Sequence, residues 1–322
     1  MISRHGEQFA LDVFPSTPPD FTIDTGRMNL GPTWRETMNY KALLAASAAV
    51  LTLAAPQSFA QDAKAPAPND LLNATLWMQN SVEYKAVTMG LFQLAKIRLD
   101  EALADKKWTA VPDKESAGYE DKPIAIIADL DETLLDNNGY QASLVTRGTS
   151  FSSKEWTDWV NAEDTKATAG AVDFLKYADS KGVKIFYVTN RTKDEEKGTR
   201  ANLEKLGFPM GGNVDTLLTK NEQDGWGSAK ENRIAYVAKD YRVALLMGDN
   251  LGDFSDVAKG TVEERHAFLD KTKDNWGKTW IMFPNPEYGS WESAAFGGDW
   301  SKSEEQRRQD KIDALKPWTP TK

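Results

Sequence analysis

Ile124-Ala125-Ile126-Ile127-Ala128-Asp129-Leu130-Asp131-Glu132-Thr133 joins a short apolar run to two aspartates set two residues apart. A short apolar run bounded by polar residues reads as a buried strand of a parallel sheet. In open α/β sheets, ligands bind at the carboxyl ends of the strands. Side chains two apart along an extended strand end fall on the same side. Asp129 and Asp131 are therefore candidates for a single site. One carboxylate can attack a phosphorus atom, the other can move a proton, and together they can help hold a hard cation. The plain alternative is an acidic turn after a strand.

The same construction recurs along the chain. Lys184-Ile185-Phe186-Tyr187-Val188 is a second β-rich run, followed by Thr189-Asn190-Arg191. Val243-Ala244-Leu245-Leu246-Met247 is a third, followed by Gly248-Asp249-Asn250, with Asp253 close behind. Between them, Ser228-Ala229-Lys230-Glu231-Asn232-Arg233 enters a helical pattern. Each piece has an ordinary reading: Thr189 and Asn190 as a helix cap, Asp249-Asn250 as a turn, Lys230 as a surface lysine. Chance is a poor explanation of all of them in this order.

With these residues in view, the chain resembles the haloacid-dehalogenase-like (HAD) phosphatases. Within them it is similar to the class C non-specific acid phosphatases of bacteria, from about Leu76 to Trp318. The likeness includes Asp129-Leu130-Asp131-Glu132-Thr133-Leu134-Leu135-Asp136-Asn137 and Phe186-Tyr187-Val188-Thr189-Asn190-Arg191. It extends to Trp156-Thr157-Asp158-Trp159-Val160, to Gly248 through Phe254, and to Tyr288-Gly289-Ser290-Trp291-Glu292. The resemblance implies a Rossmann-like core with a central parallel sheet flanked by helices, a small helical and aromatic insertion, and an N-terminal helix.

It also implies roles. Asp129 is the nucleophile that forms an aspartyl-phosphate, and Asp131 is the acid–base. Thr189 and Asn190 bind phosphoryl oxygens, and Lys230, rather than Lys220, neutralises their charge. Mg²⁺ is held by the Asp129 carboxylate, the Asp131 backbone carbonyl and the Asp249 carboxylate, with Asp253 orienting them. An all-oxygen set suits Mg²⁺. Trp156 and Tyr288 match the family's aromatics on either side of the leaving group, which favours nucleoside monophosphates and aryl phosphates. Both rings also read as core aromatics, since the chain has eleven tryptophans. Trp159 and Trp291 read as packing residues, Asp136 and Asn137 as structural, and Thr133 as a helix cap.

Composition narrows the chemistry. The chain has 322 residues, 40% of them hydrophobic, which suits one sizeable domain with appendages. A formal charge of −9 argues against a nucleic acid polymer as partner. There is no cysteine, so thiolate metal sites, cysteine nucleophiles and a lipid anchor on cysteine are excluded. Several class C enzymes carry such an anchor; this chain departs from them. The only histidines are His5 and His266, and His266 reads as an exposed helix residue, so histidine-based phosphatase chemistry is a poor reading.

Met38-Asn39-Tyr40-Lys41, an Ala-rich apolar run from 42 to 55 and Ser58-Phe59-Ala60 read as a signal peptide cut after Ala60. Residues 1–37 then read as a non-native upstream extension, 61–71 as an Ala/Pro linker, and 72–322 as the enzyme domain. A periplasmic or secreted enzyme is expected. After the linker, a helix is expected with Tyr84, Val87, Leu91, Leu94, Ala95 and Ala102 on one face. Helices at 171–180, 194–206, 229–238 and 302–315 alternate with short strands at 216–219 and 279–283, which argues a parallel α/β sheet. A phosphotransferase using the same aspartyl intermediate, and a secreted binding protein on a retired phosphatase fold, are the competing readings. A homodimer through the N-terminal helix is conceivable.

Overall fold

The structure is a computed structural model and describes residues 69–320. The stretches read as an upstream extension and a signal peptide, and most of the one read as a linker, lie outside those residues. The described chain opens with helices α1 (Leu72–Asn80) and α2 (Val82–Ala104) where the sequence led to one. Ser81 divides them: its backbone is extended and its hydroxyl accepts from the Tyr84 amide at 3.0 Å, which caps α2.

Strand β1 (Ile124–Ala128) is followed by β2 (Leu135–Asp136), α3 (Asn138–Arg147), α4 (Ser153–Asn161) and β3 (Lys166–Ala167). Helix α5 (Ala171–Ser180) leads to β4 (Lys184–Thr192), and α6 (Glu196–Leu206) to β5 (Leu217–Lys220). Helix α7 (Glu231–Asp240) precedes β6 (Arg242–Gly248), and α8 (Val262–Lys271) precedes β7 (Trp280–Met282). Helices α9 (Ser290–Ala294) and α10 (Glu304–Asp313) follow.

Five strands form one parallel sheet in the order β5-β4-β1-β6-β7, the architecture the sequence led to. From β1 the chain moves outward to β4 and β5, then returns to build β6 and β7 on the other side. The topological switch point therefore lies between β1 and β6, where such sheets open a crevice at their carboxyl ends. Strands β2 and β3 pair antiparallel outside the main sheet and bracket α3 and α4. This is the insertion expected after the first acidic stretch.

Burial on both faces explains the apolar runs. Along β1, Ile126 and Ala128 join the core packed by α2, α5 and α6, through Phe92, Leu99, Phe174 and Leu203. Ala125 and Ile127 join the opposite core, packed by α7 through Ile234 and Val237. Alternate residues of a strand point to opposite faces, so a strand covered on both sides must be apolar throughout. Each of the two isoleucines, buried in this way, contributes about 1.5–3 kcal/mol. That rigid sheet sets the positions of the strand ends.

Candidate active site

Asp129 follows β1 directly, and its amide donates to the Met247 carbonyl of β6 at 2.9 Å. The sheet thus continues one residue past the apolar run and fixes the backbone of the first aspartate. Asp249 follows β6, next to it across the switch point. Thr133 ties the two together: its hydroxyl donates to Asp249 Oδ1 at 3.0 Å and lies 3.5 Å from Asp129 Oδ2. Thr133 is therefore a site residue and not the helix cap expected of it; the next helix begins only at Asn138.

Lys230 sits just before α7 and is buried. Its ammonium donates to Asp129 Oδ1 and stands 2.6 Å from Asp253 Oδ1. Lys220 lies at the end of β5 and has no ion pair among the described residues. Asp253 uses its other oxygen to accept from the Asn250 amide at 2.9 Å, inside a tight turn that Asn250 caps in return. Asp253 thus holds the lysine and the loop after β6.

Asp129, Asp249 and Asp253 each bring a carboxylate oxygen within 4.8 Å of the others. Three buried carboxylates face one ammonium. Burial drives the Asp129 carboxyl well above its usual range, against the opposing pull of Lys230. Burial, then the Asp253 charge, pushes Asp249 up to about 7, against donors from Asn285 and Thr133. Burial also presses on Lys230, but Asp129 and Asp253 outweigh it and raise the ammonium's pKa. The surplus negative charge and the oxygen-only donor set fit a hard divalent cation. Asp129 and Asp249 are the expected ligands: among the described residues, Asp249 accepts only from the neutral donors Thr133 and Asn285, and Asp129 Oδ2 has only the 3.5 Å contact with Thr133. Among the described residues, no hydrogen bond reaches the Asp131 carbonyl, the third expected ligand.

Asp131 stands apart from that cluster. Arg191, fully buried, donates to it from Nη2 at 2.8 Å and from Nε at 3.0 Å. Asn137 Nδ2 adds a third donor at 2.9 Å. Asn137 is itself fixed by the Trp159 indole, which donates to its Oδ1 at 2.9 Å. A methyl group on Gly139 would strike the same indole. Asn137 and Trp159 thus brace the acid–base candidate, which gives the packing role read for Trp159 a purpose.

Strand β4 runs to Thr192, further than expected, so Thr189 and Asn190 are strand residues. The helix cap is Thr192, in a reciprocal box with Glu195. The Thr189 hydroxyl accepts from the Arg191 amide at 3.0 Å. Asn190 donates to the Ser228 carbonyl at 3.1 Å and accepts from Arg233 Nη2 at 2.8 Å. Arg233, also buried, reaches the carbonyls of Thr189 and Gly227. It therefore fastens the end of β4 to the loop that delivers Lys230.

Trp156 and Tyr288 are both half-buried. The Arg191 guanidinium lies 5.6 Å from the centre of the Trp156 ring, and Tyr140 packs edge-on against that ring. The Tyr288 amide donates to Asn285 Oδ1 at 3.4 Å, and Asn285 Nδ2 donates to Asp249 Oδ2 at 2.9 Å. Each aromatic is therefore one residue removed from a site aspartate. Trp291 is exposed, with its indole donating to the Asn285 and Tyr288 carbonyls. His266 is exposed on α8, as its sequence context suggested.

Arg191, Asn137, Thr133, Arg233 and Asn285 had no catalytic reading from sequence. Arg191 and Arg233 did carry a signal, as arginines beside strand-end or lysine segments. Thr133 and Asn285 show their place only through contacts with Asp249, 116 and 36 positions away, and Asn137 through its contacts with Asp131 and Trp159.

A parallel sheet whose adjacent strand ends set aspartates around a buried lysine, beside a second aspartate two residues after the first, defines a HAD-type hydrolase. The particular family follows from comparison. A family model described as HAD superfamily, subfamily IIIB (acid phosphatase), matches residues 36–291, and the chain belongs to that family. Two solved structures of the class C acid phosphatase from Bacillus anthracis, one with tungstate bound, match with a TM-score of 0.68. They are 35% and 34% identical, covering 77% of this chain and 98% of that one. The stem 28 kDa glycoprotein of Glycine max is 26% identical over 132 residues, 38% of this chain and 50% of its own length. The stem 31 kDa glycoprotein of the same plant is also 26% identical, over 43% of its length. The chain spans about half the length of these curated relatives.

Proposed function

We propose that this chain is a Mg²⁺-dependent phosphomonoesterase that prefers nucleoside monophosphates and aryl phosphates and works through an aspartyl-phosphate. The observation that carries the reading is the Lys230 ammonium buried between Asp129 and Asp253 at the switch point of the sheet. A lysine there serves a substrate with concentrated negative charge. The solved relative with tungstate bound supports the same chemistry, since tungstate is a tetrahedral oxyanion like phosphate.

Asp129 attacks phosphorus in line. Its Oδ–P bond forms as the bond from phosphorus to the ester oxygen breaks, and Asp131 gives the leaving oxygen a proton. Asp131 then takes a proton from water, whose oxygen attacks the acyl phosphate and frees Asp129 and inorganic phosphate. Lys230, Thr189 and Asn190 hold the phosphoryl oxygens through both steps. Arg191 and Asn137 fix the direction of the Asp131 carboxylate. Asp129, Asp249 and the Asp131 carbonyl would hold a Mg²⁺, which would supply the positive charge that lets the carboxylates and the phosphoryl group approach. Phosphoryl transfer depends mainly on such positioning and charge stabilisation.

Trp156 and Tyr288 supply the preference by stacking on a flat leaving group. One stack is worth about 1–3 kcal/mol. Phosphate release from nucleoside monophosphates, an aryl phosphate and glycerol phosphate, with and without Mg²⁺, tests the reading. Nucleotides should be the better substrates, EDTA should abolish turnover, and Mg²⁺ should restore it. Trp156→Ala and Tyr288→Ala should lower kcat/KM for nucleotides by about five- to 150-fold and spare glycerol phosphate. Equal losses on both substrates would remove the stacking claim, and full activity after exhaustive chelation would remove the metal.

A further inference from the structure

The segment after β7 carries Tyr288, and it is seated on the loop after β6 that carries Asp249. Asn285 makes the first join. Its Nδ2 donates to Asp249 Oδ2 at 2.9 Å, while its Oδ1 accepts from the Glu287 amide at 2.9 Å and the Tyr288 amide at 3.4 Å. Two backbone N–H groups therefore decide which end of this side chain is oxygen, and its NH₂ end is left facing the carboxylate. Ser290 makes the second join. Its hydroxyl donates to Asn250 Oδ1 at 2.6 Å and accepts from Arg265 Nη1 at 2.8 Å. Between the joins the two loops touch closely: a methyl group on Gly289 would come within 2.7 Å of Asn250 Nδ2.

Asn285 thus stands between two parts of the site with different tasks. Asp249 is an expected cation ligand, and Tyr288 an expected ring against the leaving group. Among the described residues, Asp249 accepts only from neutral donors, Thr133 on Oδ1 and Asn285 on Oδ2. It lies within 4.8 Å of the Asp129 and Asp253 carboxylates. Like charges that close repel unless a cation balances them. A cation between Asp129 and Asp249 would fix the carboxylate to which Asn285 is bonded. A fixed acceptor fixes the amide, the turn and the ring beyond it.

We propose that Asn285 is a positioning residue that couples the cation site to the leaving-group site, so that Tyr288 holds a flat leaving group more tightly when the cation is bound. The proposal rests on the roles of Asp249 and Tyr288 proposed above. By linkage the effect runs both ways: a bound flat ring tightens the cation by the same factor. The coupling acts only on substrates that carry a ring. For glycerol phosphate, the cation assists the phosphoryl group alone.

The probe is adenosine, which has the ring and no phosphate to touch the cation. Its binding is read by quenching of tryptophan fluorescence, in EDTA and in saturating Mg²⁺. Wild type should bind adenosine about fivefold more tightly, or better, with Mg²⁺. Asn285→Ser keeps a hydroxyl that can accept from the turn amides and is too short to reach Asp249. It should still take up Mg²⁺ by calorimetry, yet bind adenosine equally well in both conditions. A merely structural role predicts a lower Tm and weaker binding in both conditions, with the Mg²⁺ factor kept. That result overturns the proposal. So does a wild type whose adenosine affinity ignores Mg²⁺, which decides the matter even if the variant folds poorly. Tyr288→Ala separates the failures. If it weakens adenosine binding while Mg²⁺ has no effect on wild type, the stacking reading stands and the coupling alone falls. No Mg²⁺ uptake by wild type, or no adenosine binding in either condition, ends the underlying reading and the coupling together.

Discussion

Lys230 concentrates the electrostatics of the site in a single atom, because its ammonium neutralises Asp129 and Asp253 together. Replacing it with methionine keeps the bulk and strands two buried carboxylates. Breaking a buried pair in that way costs about 3–5 kcal/mol. Lys230→Met should therefore lower Tm clearly in EDTA, and Mg²⁺ should recover part of the loss by supplying the missing charge. Removing one preorganised charge-stabilising group costs about 10²–10³ in kcat, so turnover of an aryl phosphate should fall by that order even with saturating Mg²⁺. A near-wild-type kcat would exclude Lys230 from the chemistry. The lysine was legible because Ser228-Ala229-Lys230 enters a helical pattern with Arg233 a turn later. Thr133 was legible as a polar residue and misread as a cap. Its actual partner, Asp249, is 116 positions away, and no local pattern carries that distance.

At the level of elements, β6 ends on Gly248 because the chain must fold back tightly enough for Asp253 to reach Lys230. A Cβ on Gly248 would collide with the Asp253 side chain. Gly248→Ala should displace that carboxylate, loosen Lys230 and disturb the Asn250 turn. Overpacking of this kind costs about 1–3 kcal/mol. The variant should show a lowered Tm and a kcat loss close to that of Asp253→Ala, since both remove the same contact. Wild-type kcat in Gly248→Ala would mean that Asp253 has room to move without consequence. Most elements were readable from sequence because the sheet strands are buried on both faces and therefore continuous in apolar residues. Helix α2 was readable in existence and not in register. Its buried face is Tyr84, Thr88, Phe92, Ala95, Leu99 and Ala102, and Val87 is 46% exposed. Met89 and Ile97 are exposed on the same helix, so apolar residues occur on more than one face and periodicity alone does not choose between them. The end of β4 was misplaced for a different reason: Thr189 and Asn190 look like turn residues, and they lie in an irregular stretch between Val188 and Thr192, which both pair with β5.

Across the whole molecule, the concentration of buried carboxylates at the carboxyl end of the sheet couples folding to pH. Burial lifts Asp249 from an ordinary 3.8 to about 7, and Glu287 from 4.5 to about 7. Between those limits the folded, metal-free chain binds protons at these positions that the unfolded chain has released. Stability then falls as pH rises, because its slope follows the protons bound by the unfolded state minus those bound by the folded state. The contribution is favourable at mildly acid pH and is lost as pH rises toward about 7. A tenfold difference in proton affinity corresponds to about 1.4 kcal/mol, so the effect is large enough to read in Tm. Metal binding has the opposite sign, since a cation must displace those protons. In EDTA, wild-type Tm should therefore fall more steeply from pH 5 to pH 7.5 than that of Asp249→Asn, which has no proton to lose at that position. The gain in Tm from Mg²⁺ should be larger at pH 7.5 than at pH 5. The comparison between the two proteins cancels the surface carboxylates, which titrate alike in both. Identical slopes in wild type and Asp249→Asn would show that Asp249 is already ionised across this range, and that the buried aspartates are balanced by charge within the protein alone.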